Sequence, residues 1–337
     1  MTQMLGKQSI QFEKAPHILC GASIVGKKEG EGPLGKLFDE VEMDPMAGQQ
    51  SWEEAESALQ KRAAQLAIQK AGLQNSDVRY LFAGDLLGQL IATSFGVMDL
   101  QIPMFGLYGA CSTMGESLIL GAMTIQAGYA DKVLALTSSH FASAEKQFRY
   151  PLEYGGQRPL AATWTVTGSG AFVLAASGGK ARISGVTPGR VVDYGLKDSL
   201  NMGACMAPAA CDTIYQHLVD FGRTPGDYDA IVTGDLGSIG QTILLEMMAK
   251  KGFDIEKQHM DCGMMIFDAE TQDTHAGGSG CGCSAVTLAA KLLPMLEKGQ
   301  MKRILFVPTG ALLSTVSYNE GQSVPGIAHG VVLEHCS

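Results

Sequence analysis

The chain has 337 residues, of which 46% are hydrophobic and 18% charged, with 42 glycines and a net charge of −9. This length allows two domains or one large duplicated domain, and the composition suits a tightly packed α/β protein. The negative charge gives no electrostatic basis for binding nucleic acid or anionic lipid. No apolar stretch reaches the roughly 20 residues that span a bilayer and no signal-peptide pattern is present, so we expect a soluble chain.

Helices and short apolar strands alternate along the sequence. In the first half, Ser51 and Glu54 form a capping box that predicts a helix ending at Gly72. The further elements predicted there are strands over 80–83, 102–107 and 132–136 and a helix over 117–127. Those predicted in the second half are helices over 209–221 and up to 296, and strands ending at 233, over 264–267 and over 303–307.

Three stretches of the first half recur in the same order in the second half. DVRYLFAGDL (77–86) matches DYDAIVTGDL (227–236), GACS (109–112) matches GCSA (282–285), and GSGAFVL (168–174) matches AHGVVL (328–333). The period is too long for a solenoid, so it indicates a duplicated α/β unit. We predict an N-terminal half over 1–176, with a polar insert over about 139–163, and a C-terminal half over 177–337. Helices alternating with strands predict largely parallel sheets covered by helices.

Eight cysteines are scattered through the chain, which indicates reduced thiols rather than a disulfide framework. Cys281, Cys283 and His275 match no zinc-binding spacing, so we predict no metal site. Cys111 lies on a tight turn at a predicted helix start, where the helix dipole and free N–H groups favour a thiolate and an oxyanion. The alternative is a small buried residue at a crowded turn, and the local sequence leaves both interpretations open.

The turn Gly109-Ala110-Cys111-Ser112-Thr113 in a duplicated chain resembles the nucleophile elbow of the thiolase and ketoacyl-synthase superfamily. Within it, the chain is more similar to the stage V sporulation protein AD family of spore-forming Firmicutes. The stretches that carry this resemblance are RYP (149–151), EYGGQ (153–157), TVTGSG (165–170), MAPAA (206–210), GGSGC (277–281) and IAHGVV (327–332).

This resemblance implies a thiolase-like fold, in which two α/β halves form a five-layered α-β-α-β-α sandwich. It also implies a homodimer that binds dipicolinic acid for uptake into the forespore and release at germination. Membrane-embedded stage V A channel subunits would be its partners, and it would lie peripherally on the inner spore membrane. We expect the dimer to form through residues 102–107, and we expect no cofactor apart from calcium carried by the dipicolinate chelate.

The residues in the loops predicted to surround Cys111 argue against condensing chemistry. Thiolases and ketoacyl synthases place histidines, or His and Asn, beside the cysteine, whereas the corresponding loops here read TGDL (233–236) and GSGC (278–281). A carboxylate near the thiol raises the thiol pKa rather than activating it. His140, His275 and His329 are possible substitutes, although loop histidines are more often structural. We expect His217 and His259 to lie on the surface or on helix faces, and His17 and His335 near the termini.

Dipicolinate demands a bidentate cation, a flat apolar slot and oxygen ligands for a chelated metal. Arg149 is the best anion partner and Arg158 the second, and Phe148, Tyr150 and Tyr154 could form the slot. The alternative for this loop is a dimer contact. Asp85 and Asp235 end equivalent strands and either contact the metal or cap the next helix. The predicted ligand-binding residues are Cys111, Ser112, Asp85, His140, Arg149, Tyr150, Tyr154, Asp235, Cys281 and His329.

Three functions remain open on this sequence. The first, which we favour, is non-catalytic binding of dipicolinate. The second is an acyl transferase or condensing enzyme that uses Cys111, and the third is a scaffold for membrane subunits with an unused pocket. Fold alone does not choose among them, because function depends on the site. The absence of His and Asn beside the cysteine argues against an acyl transferase or condensing enzyme. The retained nucleophile elbow argues against a scaffold with an unused pocket.

Overall fold

The computed structural model describes residues 3–149 and 157–336. Tyr150 and Tyr154, which the sequence analysis assigned to the ligand slot, lie outside the described residues.

The secondary structure follows the predicted alternation. In the first half the strands are β1 Gln3–Leu5, β2 Ser9–Gln11, β3 His17–Gly26, β4 Glu40–Glu42, β5 Tyr80–Gly84, β6 Met104–Gly106, β7 Lys132–Ser139, β8 Trp164–Thr165 and β9 Gly168–Ala175. The helices there are α1 Lys27–Gly30, α2 Trp52–Lys70, α3 Ile91–Val97, α4 Thr113–Gln126 and α5 Phe141–Phe148.

In the second half the strands are β10 Ala181–Thr187, β11 Ala230–Thr233, β12 His259–Asp261, β13 Gly278–Ser279, β14 Arg303–Val307, β15 Thr309–Ala311, β16 Gly326–Ala328 and β17 Gly330–His335. The helices are α6 Met202–Phe221, α7 Gly237–Lys250, α8 Cys262–Ile266, α9 Cys281–Thr287, α10 Leu293–Glu297 and α11 Thr315–Asn319, with a π-type turn over Leu288–Leu292 between α9 and α10.

Two half-sheets repeat the same strand order. The first runs β6-β5-β7-β9-β3 and the second β12-β11-β14-β17-β10. In each, the first three strands are mutually parallel and the fourth is antiparallel to the third. A short antiparallel contact of β3 with β10, at Ile18 and Ala181, joins the half-sheets. The repeated order is the duplication that the three recurring motifs predict.

Alternating side chains on the strands divide the molecule into layers. Phe82 of β5 and Ile304 of β14 face one central core, which also holds apolar side chains of α4 and α9. Leu81 points to the opposite side, against α2, and Leu305 points against α6 and α7. Successive strand residues face opposite sides of a sheet, so each half-sheet has helices on both faces, and the layers follow the order α-β-α-β-α. The middle helical layer lies inside the central core, and the other two cores lie between a half-sheet and its outer helices. The predicted thiolase-like sandwich is confirmed.

Local predictions were right about most elements and wrong about one. Ser51 caps α2 by accepting a hydrogen bond from the Glu54 N–H at 3.2 Å, as predicted. Residues 264–267 were predicted to be a strand, but α8 covers most of them, because the Asp261 carboxylate accepts from the Met264 N–H and caps a helix. Helices α4 and α6 also begin earlier than predicted, α6 continuing through Pro208.

Candidate functional site

The turn that carries Cys111 is built by hydrogen bonds within the turn itself. Ala110 has a φ of +49°, in the left-handed region. The Ser112 hydroxyl donates to the Gly109 carbonyl at 2.7 Å, and the Thr113 hydroxyl donates to the Ala110 carbonyl at 2.6 Å. These bonds offset the strain of a non-glycine residue at positive φ and fix Cys111 at the start of α4. Ser112, predicted as a ligand contact, is buried and uses its hydroxyl to hold the turn.

Strand β15, in the second half of the chain, packs against this turn. A Cβ atom added to Gly310 would lie 2.4 Å from the Gly109 carbonyl oxygen and 3.1 Å from the Cys111 nitrogen. Only glycine allows so close an approach of two backbones. The two halves therefore meet at Cys111.

The Asp235 carboxyl group lies beside the Cys111 thiol, and the two groups interact electrostatically. The carboxyl group accepts from the Gly280 N–H at 3.0 Å and from the Thr309 hydroxyl at 2.7 Å. Burial raises the pKa of Asp235 to about 7. Burial, followed by the charges of Asp235 and Cys281, raises the pKa of Cys111 well above its usual value. Of the two interpretations that the sequence left open for Cys111, these pKa shifts favour the small buried residue at a crowded turn over the thiolate.

A narrow apolar pocket opens beside this thiol. Cys111, Leu86, Ala144 and Cys281 pack together there, with Phe148 against them. The Cys281 thiol donates to the Ser138 carbonyl at 2.9 Å, so it is buried with its hydrogen satisfied. The free volume is about 30 Å³, close to the space that one water takes up in the liquid. In this conformation the pocket, called the Cys111 pocket below, is nearly closed.

Among residues 3–149 and 157–336, one cation lines the Cys111 pocket, and it is the one predicted as the anion partner. The Arg149 guanidinium is ion-paired with Glu145, one helical turn earlier. The Glu145 side chain is 1% exposed and that of Arg149 16%. Burial raises the pKa of Glu145, and the charge of Arg149 opposes that shift. The sequence analysis missed Glu145, although a Glu–Arg spacing of four residues is the usual signal for a helical ion pair.

Arg158, the second predicted anion partner, does not line this pocket. It pairs with Asp273 at 2.9 Å, and its guanidinium lies 4.8 Å from the ring centre of Trp164.

The three histidines predicted as possible bases have structural partners. His140 accepts from the Ala142 N–H through Nδ1 and donates to the Pro45 carbonyl through Nε2 at 2.9 Å. His329 accepts from the Gly189 N–H at 3.0 Å, and burial lowers its pKa to about 4. His275 bonds the Pro159 carbonyl. None of these residues lines the Cys111 pocket as the described residues delimit it.

Two further histidines, His217 and His259, are buried in the structure. The sequence predicted both residues on the surface or on helix faces: His217 lies on the buried side of helix α6, whereas His259 is buried on strand β12. His217 lies between the Thr187 and Tyr228 hydroxyl oxygens, 2.6 Å from each. Such partners come from separate elements, so no local pattern reveals them.

The twin aspartates of the repeated GDL turns have diverged. Asp85 accepts from the Leu87 and Thr93 N–H groups, both at 2.7 Å, so it caps the helical segment that follows. In the second half Asp261 takes this role, accepting from the N–H groups of Leu236 and Gly237. Asp235 is therefore left to face Cys111. Within residues 3–149 and 157–336, no group of three or more His, Cys, Asp or Glu side chains is arranged to hold a metal ion.

With this geometry in place, the chain can be compared with known proteins. The sequence profile of the family described as stage V sporulation protein AD matches residues 6–334. The chain belongs to the stage V sporulation protein AD family. A relative of that name from Bacillus subtilis (strain 168) is 43% identical over 332 residues, which is 98% of each chain. The family assignment made from the sequence motifs is confirmed.

Solved structures place this family member among thiolase-like folds. A tetronic acid condensing enzyme aligns with a TM-score of 0.59 at 16% identity, over 94% of this chain and 99% of the enzyme. The Acat5 thiolase from Ascaris suum, solved with coenzyme A, aligns with a TM-score of 0.59 at 13% identity, over 96% of this chain and all of that one. At these identities the similarity shows the fold. Among the described residues of this family member, no helix is long and apolar enough to span a bilayer.

Proposed function

We propose that this sporulation protein binds dipicolinic acid in the Cys111 pocket without chemical turnover. The observation that carries the proposal is the position of the buried Cys111 thiol beside the Asp235 carboxyl group, with no histidine among the described residues that line the pocket. Acyl transfer needs a thiolate and a base, whereas burial and Asp235 keep this thiol protonated. The predicted histidine substitutes have other partners, which removes the usual proton carriers from the thiol.

The chemistry of the pocket suits a flat dianion. Arg149 offers the planar guanidinium that pairs with carboxylates. Phe148 and Leu86 supply apolar surface for a pyridine ring. The hydroxyls of Thr165 and Ser279 line the same pocket and can donate to a second carboxylate. Because the free volume is only about 30 Å³, dipicolinate can enter this pocket only if side chains that line it change position.

In the cell, we propose that the protein serves dipicolinate uptake into the forespore and its release at germination. It would do so as a peripheral subunit beside the membrane-embedded stage V A channel subunits on the inner spore membrane. Membership of the stage V sporulation protein AD family supports a role in sporulation. Deleting the gene should leave spores that lack dipicolinate, and a Cys111→Phe variant should fail to restore it.

Calorimetric titration tests the binding step. Purified protein should release heat with dipicolinate and none with acetyl-CoA. Mass spectrometry after incubation with acetyl-CoA should find no acyl group on Cys111. A stoichiometric adduct that turns over, and that Cys111→Ser abolishes, would establish the acyl transferase instead. That second function has one observation in its favour, since the elbow around Cys111 is intact.

We also propose that two copies pair through the free edge of β6. This strand ends the first half-sheet, and its residues Met104 and Phe105 are exposed by 38% and 51%. Tyr129, exposed by 72%, borders the same surface. An unpaired edge with apolar side chains is a ready site for pairing with a second chain. Pairing across a twofold axis would cover both edges at once.

A further inference from the structure

A second cavity, called the Trp164 cavity below, lies apart from the Cys111 pocket. Its volume is about 600 Å³, which is in the range of small-molecule sites, and it shares no lining residue with the Cys111 pocket. The Phe141 ring stacks on the indole of Trp164 with the ring centres 3.8 Å apart. The aromatic and apolar side chains of its walls are those of Met43, Pro45, Trp52, Phe141 and Trp164.

Two cations lie close to the indole of Trp164. The Lys28 ammonium is 4.3 Å from the ring centre, and the Arg158 guanidinium is 4.8 Å from it. Lys28 lines the cavity, whereas Arg158 lies against the ring without being part of the lining. Burial, followed by the charge of Arg158, lowers the pKa of Lys28, so the two cations repel each other. An anion bound beside them would relieve this repulsion.

Arg158 is buried with part of its hydrogen-bonding capacity unused. Its side chain is 3% exposed, and its Nη2 donates to the carbonyl and the carboxylate of Asp273. The Nε and Nη1 atoms are buried and have no hydrogen-bond partner among the described residues. Asp273 is 76% exposed and also pairs with His275, so it neutralises this cation incompletely. Unpaired buried donors cost free energy, so the cluster is suited to a further anion.

The acidic residues of the cavity leave the positive charge in excess. Glu31 is exposed and pairs with Lys27 at 3.8 Å. Glu29 is buried and accepts from the Thr167 N–H at 2.9 Å, and burial raises its pKa to about 7. Glu29 is therefore partly protonated near neutral pH, and an anion beside it would favour the protonated form further. Two cations remain, and a dianion balances them better than a single carboxylate does.

We propose that the Trp164 cavity binds the phosphate monoester group of a ligand whose aromatic or apolar body lies against Trp52 and Trp164. A phosphate monoester carries about two negative charges and has three acceptor oxygens. Lys28 contacts the phosphate, and Arg158 adds its charge from beside the indole. Soluble phosphate esters and the headgroup of phosphatidic acid share this chemistry. The site is independent of dipicolinate binding at Cys111.

Tryptophan fluorescence reports on this cavity, because the chain has two tryptophans and both line it. Phenyl phosphate should change the emission of the wild type in a saturable way. Phenol lacks the phosphate and inorganic phosphate lacks the ring, so each should bind at least about tenfold more weakly. Equal affinities for phenyl phosphate and phenol would overturn the proposal without the use of any variant.

Variants of Lys28 test the role of the charge. Lys28→Gln removes the cation on the cavity wall and should weaken phenyl phosphate binding at least about tenfold. Lys28→Arg keeps the charge and should stay within about threefold of the wild type. Lys250→Gln, at an exposed position of α7, removes the same charge elsewhere and is the matched control. Undiminished binding by Lys28→Gln would overturn the proposal. Dipicolinate affinity should be unchanged in all three variants, because the Cys111 pocket is separate.

Flotation with phosphatidylcholine vesicles, with and without phosphatidic acid, separates the two sources of the phosphate. The net charge of −9 favours a soluble ester, so we expect phenyl phosphate to bind and the protein not to float. Flotation that requires phosphatidic acid and that Lys28→Gln abolishes would assign the site to the lipid headgroup instead. If the wild type binds neither phenyl phosphate nor these vesicles, the proposal is wrong.

Discussion

The Cys111 thiol faces the Asp235 carboxyl group at the junction of the two halves, and burial of the pair disfavours charge on both. Burial and the neighbouring carboxylate thus keep the thiol protonated, although it lies at the start of a helix. The dipole of α4 does not overcome desolvation, because burial is the largest cause of the raised pKa of Cys111.

Replacing Asp235 with Asn should therefore lower the pKa of Cys111. The substitution removes the charge next to the thiol but keeps the shape of the side chain. A fall of one pKa unit would make iodoacetamide alkylation at pH 8.5 about tenfold faster. Peptide mass spectrometry measures this, with Cys336, a partly exposed thiol, as the internal control. Equal rates in both proteins would show that burial alone sets the pKa.

Cys111→Ser should bind dipicolinate nearly as well as wild type does. Serine has almost the same volume and keeps the backbone of the turn, so the affinity should change by less than about tenfold, or ~1.4 kcal/mol. Cys111→Phe should abolish binding, since the pocket has a free volume of only about 30 Å³. Calorimetry compares the three proteins. Tight binding by the phenylalanine variant would place the ligand elsewhere.

The stability of the fold should fall as the pH rises from about 5 to 8. Burial and the nearby Asp85 raise the pKa of Glu56 to about 8, from its usual value of 4.5. Between these two values the folded state holds a proton that the unfolded state has lost. Each such proton lowers the free energy of unfolding by up to about 1.4 kcal/mol per pH unit.

Glu56→Gln should make this pH dependence shallower. The amide can keep the bonds to the Ser138 and Ser143 hydroxyls, and it has no proton to lose. Urea unfolding at pH 5.5, 7 and 8.5 measures the difference, with Glu246→Gln at an exposed position of α7 as the control. Parallel pH profiles for wild type and Glu56→Gln would contradict the raised pKa.

Gly310→Ala should destabilise the protein by about 1–3 kcal/mol, as overpacking does. The added Cβ would lie 2.4 Å from the Gly109 carbonyl, so the Cys111 turn must move. Dipicolinate affinity should fall as well. Gly226→Ala is the matched control, because its nearest neighbour would be 3.7 Å away. Denaturant unfolding and calorimetry report the two effects.

Phe105→Asp should convert the proposed dimer to a monomer. The charge would lie on the exposed edge strand, where pairing would bury it without a partner. Multi-angle light scattering at micromolar concentration measures the mass. Val316→Asp, at a residue 70% exposed and remote in sequence, is the control and should remain dimeric. A wild-type monomer in the same measurement would rule out the dimer.

The layers could be predicted from the sequence because each depends on local periodicity and on recurring motifs. The stretch 264–267 could not, since a short apolar run has no period that separates a strand from a helix. The buried positions of His217 and His259 depend on partners from other elements. Cys111 was identified from its turn, yet its protonation is set by Asp235 and by burial, which only the assembled halves provide.

Each half of this protein carries an aspartate at the end of an equivalent strand. In the second half Asp261, and not Asp235, accepts the hydrogen bonds that cap the following helix. A substitution at residue 235 therefore leaves the cap of α7 in place, whereas a substitution at residue 85 removes the cap of α3. In this way the duplicated fold has a position, where the two halves meet, that is not needed to cap α7. An attempt to introduce condensing chemistry on this scaffold should begin with Asp235→His and leave Asp85 untouched.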